Sequence, residues 1–530
     1  MAGWTFADVW ETVAAIRPDA VAQVHGDRTI FWGAFERRAA GVATTLLAAG
    51  LGRGDKVALY LHNAPEYMQA AFAALKAGLV PVNTNYRYVQ DELLYLWTNA
   101  DAAAVVFHGS FTANVAGLRG RCLGVRCWLH VDDGSGACPD WAMPYETAAA
   151  AAVGATERSG DDLLLIYTGG TTGLPRGVMW RQHDLFLASN TTGDPAEPDL
   201  GFVRNRLNGP GPVGLPAAPL MHGTGFVFAA TVLNRGGTLV TLPDPKFDAL
   251  RLLEAIEADQ VTDLCIVGDA FCRPMVEALD SHPGRWDLSS LRVVSSSGMM
   301  WSPAVKQRLL RHAPDVLMID FLNASEASGL GRSLTSSRKA EGGARFKLGQ
   351  NAFVLDEDDA PVLPGSPQPG RLAVRGLVPL GYYKDPVKTA ATFPVIGGVR
   401  CAVPGDYALV ELDGSITLLG RGSVSINTGG EKVFPEEVEE AIKTFPAARD
   451  AVVVGVPDPR FGQMVAAAVE PVEGATVEPA ALLDHLRGRL APHKLPRVVM
   501  PVATIGRAPN GKADYRAIAE QVSAWHRQGQ

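Results

Sequence analysis

Long apolar runs are missing from this sequence: nowhere do about 20 consecutive residues stay apolar, so no membrane-spanning helix is expected. The start, Met1-Ala2-Gly3-Trp4-Thr5, has no basic stretch leading into an apolar core, which argues against a secretion signal and for a cytoplasmic protein. Cysteine is sparse and unpatterned. Cys122, Cys127, Cys138, Cys265, Cys272 and Cys401 form neither a Cys-x-x-Cys pair nor a zinc-finger spacing, so they read as reduced, small buried hydrophobes. An excess of positive charge is also absent. With 48 basic and 56 acidic residues the chain carries −8, without the basic face that nucleic-acid phosphates demand. What is present is 530 residues, 47% of them hydrophobic, enough for several packed units.

The first part of the chain alternates short apolar runs with amphipathic stretches, the pattern of α/β architecture. Val57 to Leu61 reads as a strand, and Pro65 to Lys76 as a helix with proline in its first turn and Gly78 just past its end. Further strands are expected at Ala104–Phe107, Leu163–Tyr167, Leu239–Leu242 and Leu291–Val294. A hairpin turn at Leu412-Asp413-Gly414-Ser415 precedes a change of pattern. The expected organisation is a large N-terminal α/β domain with subdomains over 1–420, a hinge at 421–423, and a small C-terminal α+β domain over 424–530. In the latter a helix from Pro435 would bury Val438, Ile442 and Phe445. Strands at Ala451–Val456 and Val465–Val469 and a helix near Pro479–Leu490 complete it.

The segment from Leu163 to Val178 is the most informative. A strand delivers the chain into Thr168-Gly169-Gly170-Thr171-Thr172-Gly173-Leu174-Pro175-Arg176. Glycines let backbone N–H groups converge on an anion, threonines add hydroxyls and Arg176 adds a fixed charge, so the loop suits polyphosphate. It lacks the Gly-Lys-Ser/Thr of a Walker loop, and Val178-Met179-Trp180 reads as a returning strand. A plain Gly/Thr surface turn would fit the same residues. Taken alone, Glu326 reads as a solvated acid, Asp406 as a turn residue and Lys512 as a solubilising charge.

Their order along the chain changes that. Thr168 to Arg176, Asp320-Phe321-Leu322-Asn323-Ala324-Ser325-Glu326, Pro404-Gly405-Asp406 with Gly420-Arg421, Thr428-Gly429-Gly430-Glu431-Lys432-Val433-Phe434-Pro435 and Ile505-Gly506-Arg507-Ala508-Pro509-Asn510-Gly511-Lys512 together resemble the motifs of the adenylate-forming enzymes. That superfamily comprises acyl-CoA synthetases, luciferases and peptide-synthetase adenylation domains. Leu322-Asn323 departs from its usual Tyr-Gly, and Ser423 stands where many relatives carry Asp or Lys at the hinge.

The resemblance implies ATP, Mg²⁺ and coenzyme A as partners. It assigns Thr168, Gly169, Gly170, Thr171, Thr172, Gly173, Arg176, Ser297, Gly298, Asn323, Ser325, Asp406, Arg421 and Lys512 to ATP and AMP, with Asp406 and Arg421 at the ribose. Glu326 would hold the metal. Catalysis would rest on Lys512, Glu326, Thr168 and His222. Gly429, Gly430 and Lys432 would meet coenzyme A. Pro219 to Phe226 and Ser295 to Trp301 resemble the segments that wall the acyl pocket, through His222, Phe226, Gly298, Met299 and Met300. The pocket segments look closest to actinobacterial fatty-acyl and steroid-side-chain CoA ligases. The function implied is AMP-forming ligation of a hydrophobic carboxylate to coenzyme A. The chain runs 18 residues past Lys512, too short for a fused carrier domain. A stand-alone enzyme loading a separate carrier protein, and a non-catalytic nucleotide binder, are the alternatives. Peripheral membrane contact and a homodimer stay open.

Overall fold

The computed structural model describes residues 4–152, 154, 157–168, 174–190, 204, 207, 209–299, 301–337, 339–340, 345–428, 431–458, 462–487, 489–508 and 511–528. Two large sheets organise the first 420 residues. In one, Val80–Asn83, Lys56–Tyr60, Ala102–His108 and Cys127–Val131 are parallel, and Leu163–Thr168 joins beside Val80–Asn83. Arg176–Arg181 then returns antiparallel on Leu163–Thr168, as expected. In the other, Val21–His25, Thr238–Thr241, Val213–Pro216, Asp263–Ile266, Val293–Ser297 and Leu317–Ala324 run parallel. This sheet continues through Ala327–Ser336 and Arg345–Leu348 into the antiparallel hairpin Asp406–Val410/Ile416–Arg421.

Helix Pro65–Lys76 is buried at every one of its residues. Pro65 occupies the first turn, where its missing N–H costs nothing, and Gly78 leaves the helix at φ +66°. Trp10, Phe35 and Phe72 meet at this layer, with Trp10 edge-on to Phe72 at 5.1 Å. Each such buried side chain contributes about 1.5–3 kcal/mol. The charge that ends the helix, Lys76, is enclosed by Glu11 and Glu36.

The chain from Ile426 on forms a separate five-stranded sheet. Ala448–Asp458 and Gly462–Pro471 make a long antiparallel pair, and Val498–Pro501 adds a parallel strand. Side chains alternate across it. Val453, Val465 and Ala467 pack under helices Pro435–Lys443 and Pro479–Arg487, while Val452, Val454 and Ala466 pack under Tyr515–Gln528.

Several element boundaries shift from expectation by a few residues, and two of the shifts have a visible cause. The strand expected at Leu291–Val294 is Val293–Ser297, because Leu291 still belongs to a turn closed by its N–H on the Leu288 carbonyl. The helix from Pro435 ends at Lys443, so Phe445 lies beyond it and packs edge-on against His485.

Candidate active site

The carboxyl ends of the parallel strands, where α/β sheets ordinarily bind ligands, open into a cleft of about 1920 Å³. It is walled by the large sheet, by the hairpin Asp406–Val410/Ile416–Arg421 and by the small sheet's helices. Twelve expected site residues line this one cleft: Thr168, Arg176, His222, Ser297, Gly298, Met299, Asn323, Ser325, Glu326, Asp406, Arg421 and Lys512. Gly169, Gly170, Thr171, Thr172, Gly173, Met300, Gly429 and Gly430 lie outside the described residues, as does the side chain of Lys432.

Thr168 is the last residue of its strand and pairs with Arg176. The Asn83 amide pins this end: Tyr167 N–H donates to Asn83 Oδ1, and Asn83 Nδ2 donates to the carbonyls of Tyr167 and Met221. Asn83 therefore ties the strand end to the segment carrying His222, a role no motif signalled. Arg176 Nε donates to Asp385 at 3.0 Å, and Asp385 also caps helix Pro386–Thr392. The guanidinium is thus held in place and partly neutralised.

Glu326 is buried, not solvated. It sits in the turn between strands Leu317–Ala324 and Ala327–Ser336, and the Tyr382 hydroxyl donates to its Oε1 at 2.8 Å. Trp180 donates to the neighbouring Ser325 carbonyl, anchoring that turn to the returning strand. Asn323 Oδ1 accepts from Gly329 N–H at 2.8 Å, so this amide also serves the local backbone.

Asp406 and Arg421 are direct cross-strand partners, 3.6 Å apart between Oδ1 and Nε. Burial raises the Asp406 pKa and Arg421 opposes it. The Arg421 pKa is raised above its ordinary value chiefly by Asp406. A carboxylate accepts and a guanidinium donates, so together they match vicinal hydroxyls.

Lys512 enters from the small sheet's side. Ala508 N–H donates to the Lys512 carbonyl and Gly511 N–H to the Ala508 carbonyl, folding this end tightly. Arg507 is fixed on Asp450 and reaches the Gly511 carbonyl. Gly511 adopts φ +74°, and a β-carbon there would collide with the Met299 sulfur. The Lys512 pKa is lowered by crowding protein and by Arg421, against the pull of Glu326 and Asp406. His222 stands at the N-cap position of helix Gly223–Asn234 without capping it by its side chain. Burial, then Lys512 and Arg87, push its pKa down to about 4, so the ring is neutral at pH 7.

On the acyl side, Phe226 packs in the large core and borders a small cavity with His222 and Gly223, outside the lining of the large cleft. The cleft-facing stripe of its helix is Thr224, Val227, Phe228 and Thr231, continued by Arg235, spacings of one helical face. Opposite stand Asp263, Cys265 and Val267, and Val293, Ser295 and Ser297, alternate residues of two strands. Gly298 holds φ +93° where the second of these strands leaves the sheet. This stripe was not legible because Gly223–Asn234 is apolar nearly all round.

The family model for AMP-binding enzymes matches residues 10–383, and that for the AMP-binding enzyme C-terminal domain matches 437–512. The chain belongs to the AMP-binding enzyme family. Among curated members, a medium/long-chain-fatty-acid–CoA/3-oxocholest-4-en-26-oate–CoA ligase of Mycolicibacterium smegmatis is 41% identical over 524 residues, covering 96% of this chain and 95% of its own. A 3-oxocholest-4-en-26-oate–CoA ligase of Rhodococcus rhodochrous is 38% identical over 530 residues, covering 97% and 95%. The same fold, at TM-score 0.84 and 20% identity over 99% of each chain, is that of an anthranilate CoA ligase, AuaEII, in complex with anthranoyl-AMP. The AMP-binding fold thus extends over both sheets and the small C-terminal unit.

Proposed function

We propose that the protein is an AMP-forming acid–CoA ligase for hydrophobic carboxylates, fatty acids or steroid side-chain acids. The observation that carries this reading is the convergence of Glu326, Asp406, Arg421 and Lys512 on one cleft that continues between helix Gly223–Asn234 and the large sheet. The names of the fatty-acid and cholestenoate ligases it resembles support the class of acid. In the first step the acid's carboxylate oxygen attacks the α-phosphorus of ATP, and the bond to the departing pyrophosphate breaks. In the second the coenzyme A sulfur attacks the acyl carbon, and AMP leaves with the electrons of the mixed-anhydride bond.

Lys512 supplies positive charge where it develops on the α-phosphate and carboxylate, and Asp406 with Arg421 holds the ribose. His222, neutral at pH 7, contributes a hydrogen bond beside the carboxylate and no charge. Thr168, Ser325, Ser297, Gly298 and Asn323 form the surrounding nucleotide wall. Gly429, Gly430 and Lys432 are assigned to coenzyme A. Among the described residues no cluster of three or more metal-binding side chains exists. A single buried carboxylate, Glu326, oriented by Tyr382, suits a magnesium ion that takes its other oxygens from phosphates and water. Bound there, the ion would neutralise phosphate charge. Residues 421–423 serve as the pivot between 1–420 and 424–530. A cytoplasmic location belongs to this reading and accords with six free cysteines. No helix among the described residues is long and apolar enough to cross a membrane.

The test is a product assay with ATP, coenzyme A and a panel of fatty, aromatic and steroidal acids. Equimolar AMP and acyl-CoA are expected. Pyrophosphate release without acyl-CoA from any acid, together with loading of a carrier protein, would replace this reading with the carrier-loading one.

A further inference from the structure

The channel leading away from Lys512 changes character at its far end. From Thr224 to Arg235 the helix face advances eleven residues, roughly 16 Å at 1.5 Å per residue. An extended chain covers about 1.2 Å per bond, so this length suits a medium acyl chain or a fused ring system. Along the middle, the hydroxyl protons are already placed. Thr231 donates to the Val227 carbonyl at 2.8 Å, and Ser295 donates to the Leu264 carbonyl at 3.3 Å. Val227, Phe228, Cys265, Val267 and Val293 supply the apolar part of the wall.

At the end stand Arg235 and Asp263. Thr262 donates to Asp263 Oδ2 at 2.7 Å and is itself held by Val213 N–H, which fixes the carboxylate. The other oxygen, Oδ1, lies 3.8 Å from Arg235 Nη1. That distance makes an ion pair but not a hydrogen bond. The Arg235 side chain is 51% exposed and Asp263 17%, placing the guanidinium at the channel mouth against a fixed counter-charge. A guanidinium has five N–H donors and no acceptor, so it can read only an accepting group. Of the acceptors a hydrophobic substrate carries, a carbonyl has no hydrogen of its own to place, which suits a site whose free group only donates.

We propose that Arg235, steadied by Asp263, is a specificity-determining residue that donates a hydrogen bond to a carbonyl at the end of the substrate remote from its carboxylate. The enzyme then prefers an oxo-substituted polycyclic acid to the same skeleton without the oxo group. This inference rests on the acid–CoA ligase reading and adds the feature by which one acid is chosen over another.

The experiment compares kcat/KM for acyl-CoA formation from a polycyclic acid bearing a distal ring ketone and from its deoxo counterpart. The wild-type ratio is expected to favour the ketone by about tenfold, the low end for a hydrogen bond to a charged donor at a half-exposed site. Arg235→Leu should bring the ratio close to one, chiefly through KM for the ketone. Arg235→Lys should restore part of it, and Asp263→Asn should keep it above one. Acyl-CoA from both acids with a wild-type ratio near one, or a ratio that Arg235→Leu leaves unchanged, overturns the inference and spares the ligase reading. No acyl-CoA from any acid overturns both.

Discussion

Two helices of this protein begin and end alike and have opposite fates. Pro65–Lys76 and Pro435–Lys443 each start with Pro-Glu and finish on lysine. The first is filled with Ala, Phe, Met and Tyr and is buried all round, its only strong charges enclosed in ion pairs. The second buries Val438 and Ile442 in its own sheet and turns Glu436, Glu439, Glu440 and Lys443, spaced three and four apart, toward the cleft. A face of charges lacks the apolar area that locks the first helix in place, and the proposed pivot at 421–423 calls for a face of that kind, one that parts at little cost.

The comparison can be broken most severely at its rigid end. Phe72→Ala should cost about 3–5 kcal/mol in urea unfolding, as loss of a fully buried aromatic side chain does. A cost below about 1 kcal/mol would mean that the first helix is not locked. At the cleft the large effect should be on chemistry. Lys512→Ala is expected to slow pyrophosphate exchange by about 10²–10³-fold, the scale of losing one charge-stabilising group. Thiolation of pre-formed acyl-adenylate should change only a few-fold, and equal loss in both half-reactions would refute a lysine that works in one domain orientation.

A smaller effect is expected from Asp320, which lines the cleft with Lys306 Nζ 3.5 Å away. Burial pushes its pKa up to about 7, with Lys306 opposing. Because the folded-state value is raised, the associated stability is full below the unfolded pKa of about 3.9 and is lost as pH rises through about 7. Asp320→Asn should therefore show a smaller fall in melting temperature between pH 5 and pH 7 than the wild type. Matching pH profiles would count against this assignment. The smallest change belongs to Glu440→Gln, which removes the charge from the pair with Lys443 and should cost at most about 1 kcal/mol in global stability, the upper range for partly exposed ion pairs. A loss of about 2 kcal/mol there would show that this charged face is as firmly held as the core.

Much of this arrangement is legible because the residues assigned to ATP by resemblance come in short, ordered motifs. Thr168, Glu326, Asp406, Arg421 and Lys512 were named from sequence, and all of them line one cleft. The boundary features that local chemistry dictates also came through, such as Pro65 at a helix start and the return strand after Arg176. Residues whose significance arises only from packing did not. Asn83 acts across 84 and 138 positions, and the Arg235–Asp263 pair joins a helix end to a strand start. Which side Phe226 faces is not legible, because a helix apolar on nearly every face offers no pattern by which to tell the core side from the channel side. The burial of Glu326 and its partner are not legible either, because nothing near it in sequence announces Tyr382, 56 positions away.

The contact between Met299 and Gly511 joins two processes that are usually measured apart. Met299 lines the cleft, and its sulfur occupies the space that a side chain at position 511 would need. Under the proposed ligase reading, an acid that shifts Met299 would alter the free energy of seating the Lys512 segment, and by thermodynamic reciprocity the seating would alter the affinity for that acid by the same amount. Substrate selectivity would then belong to the two units together, with part of each acid's binding energy expressed as a shift in how often the lysine is in place.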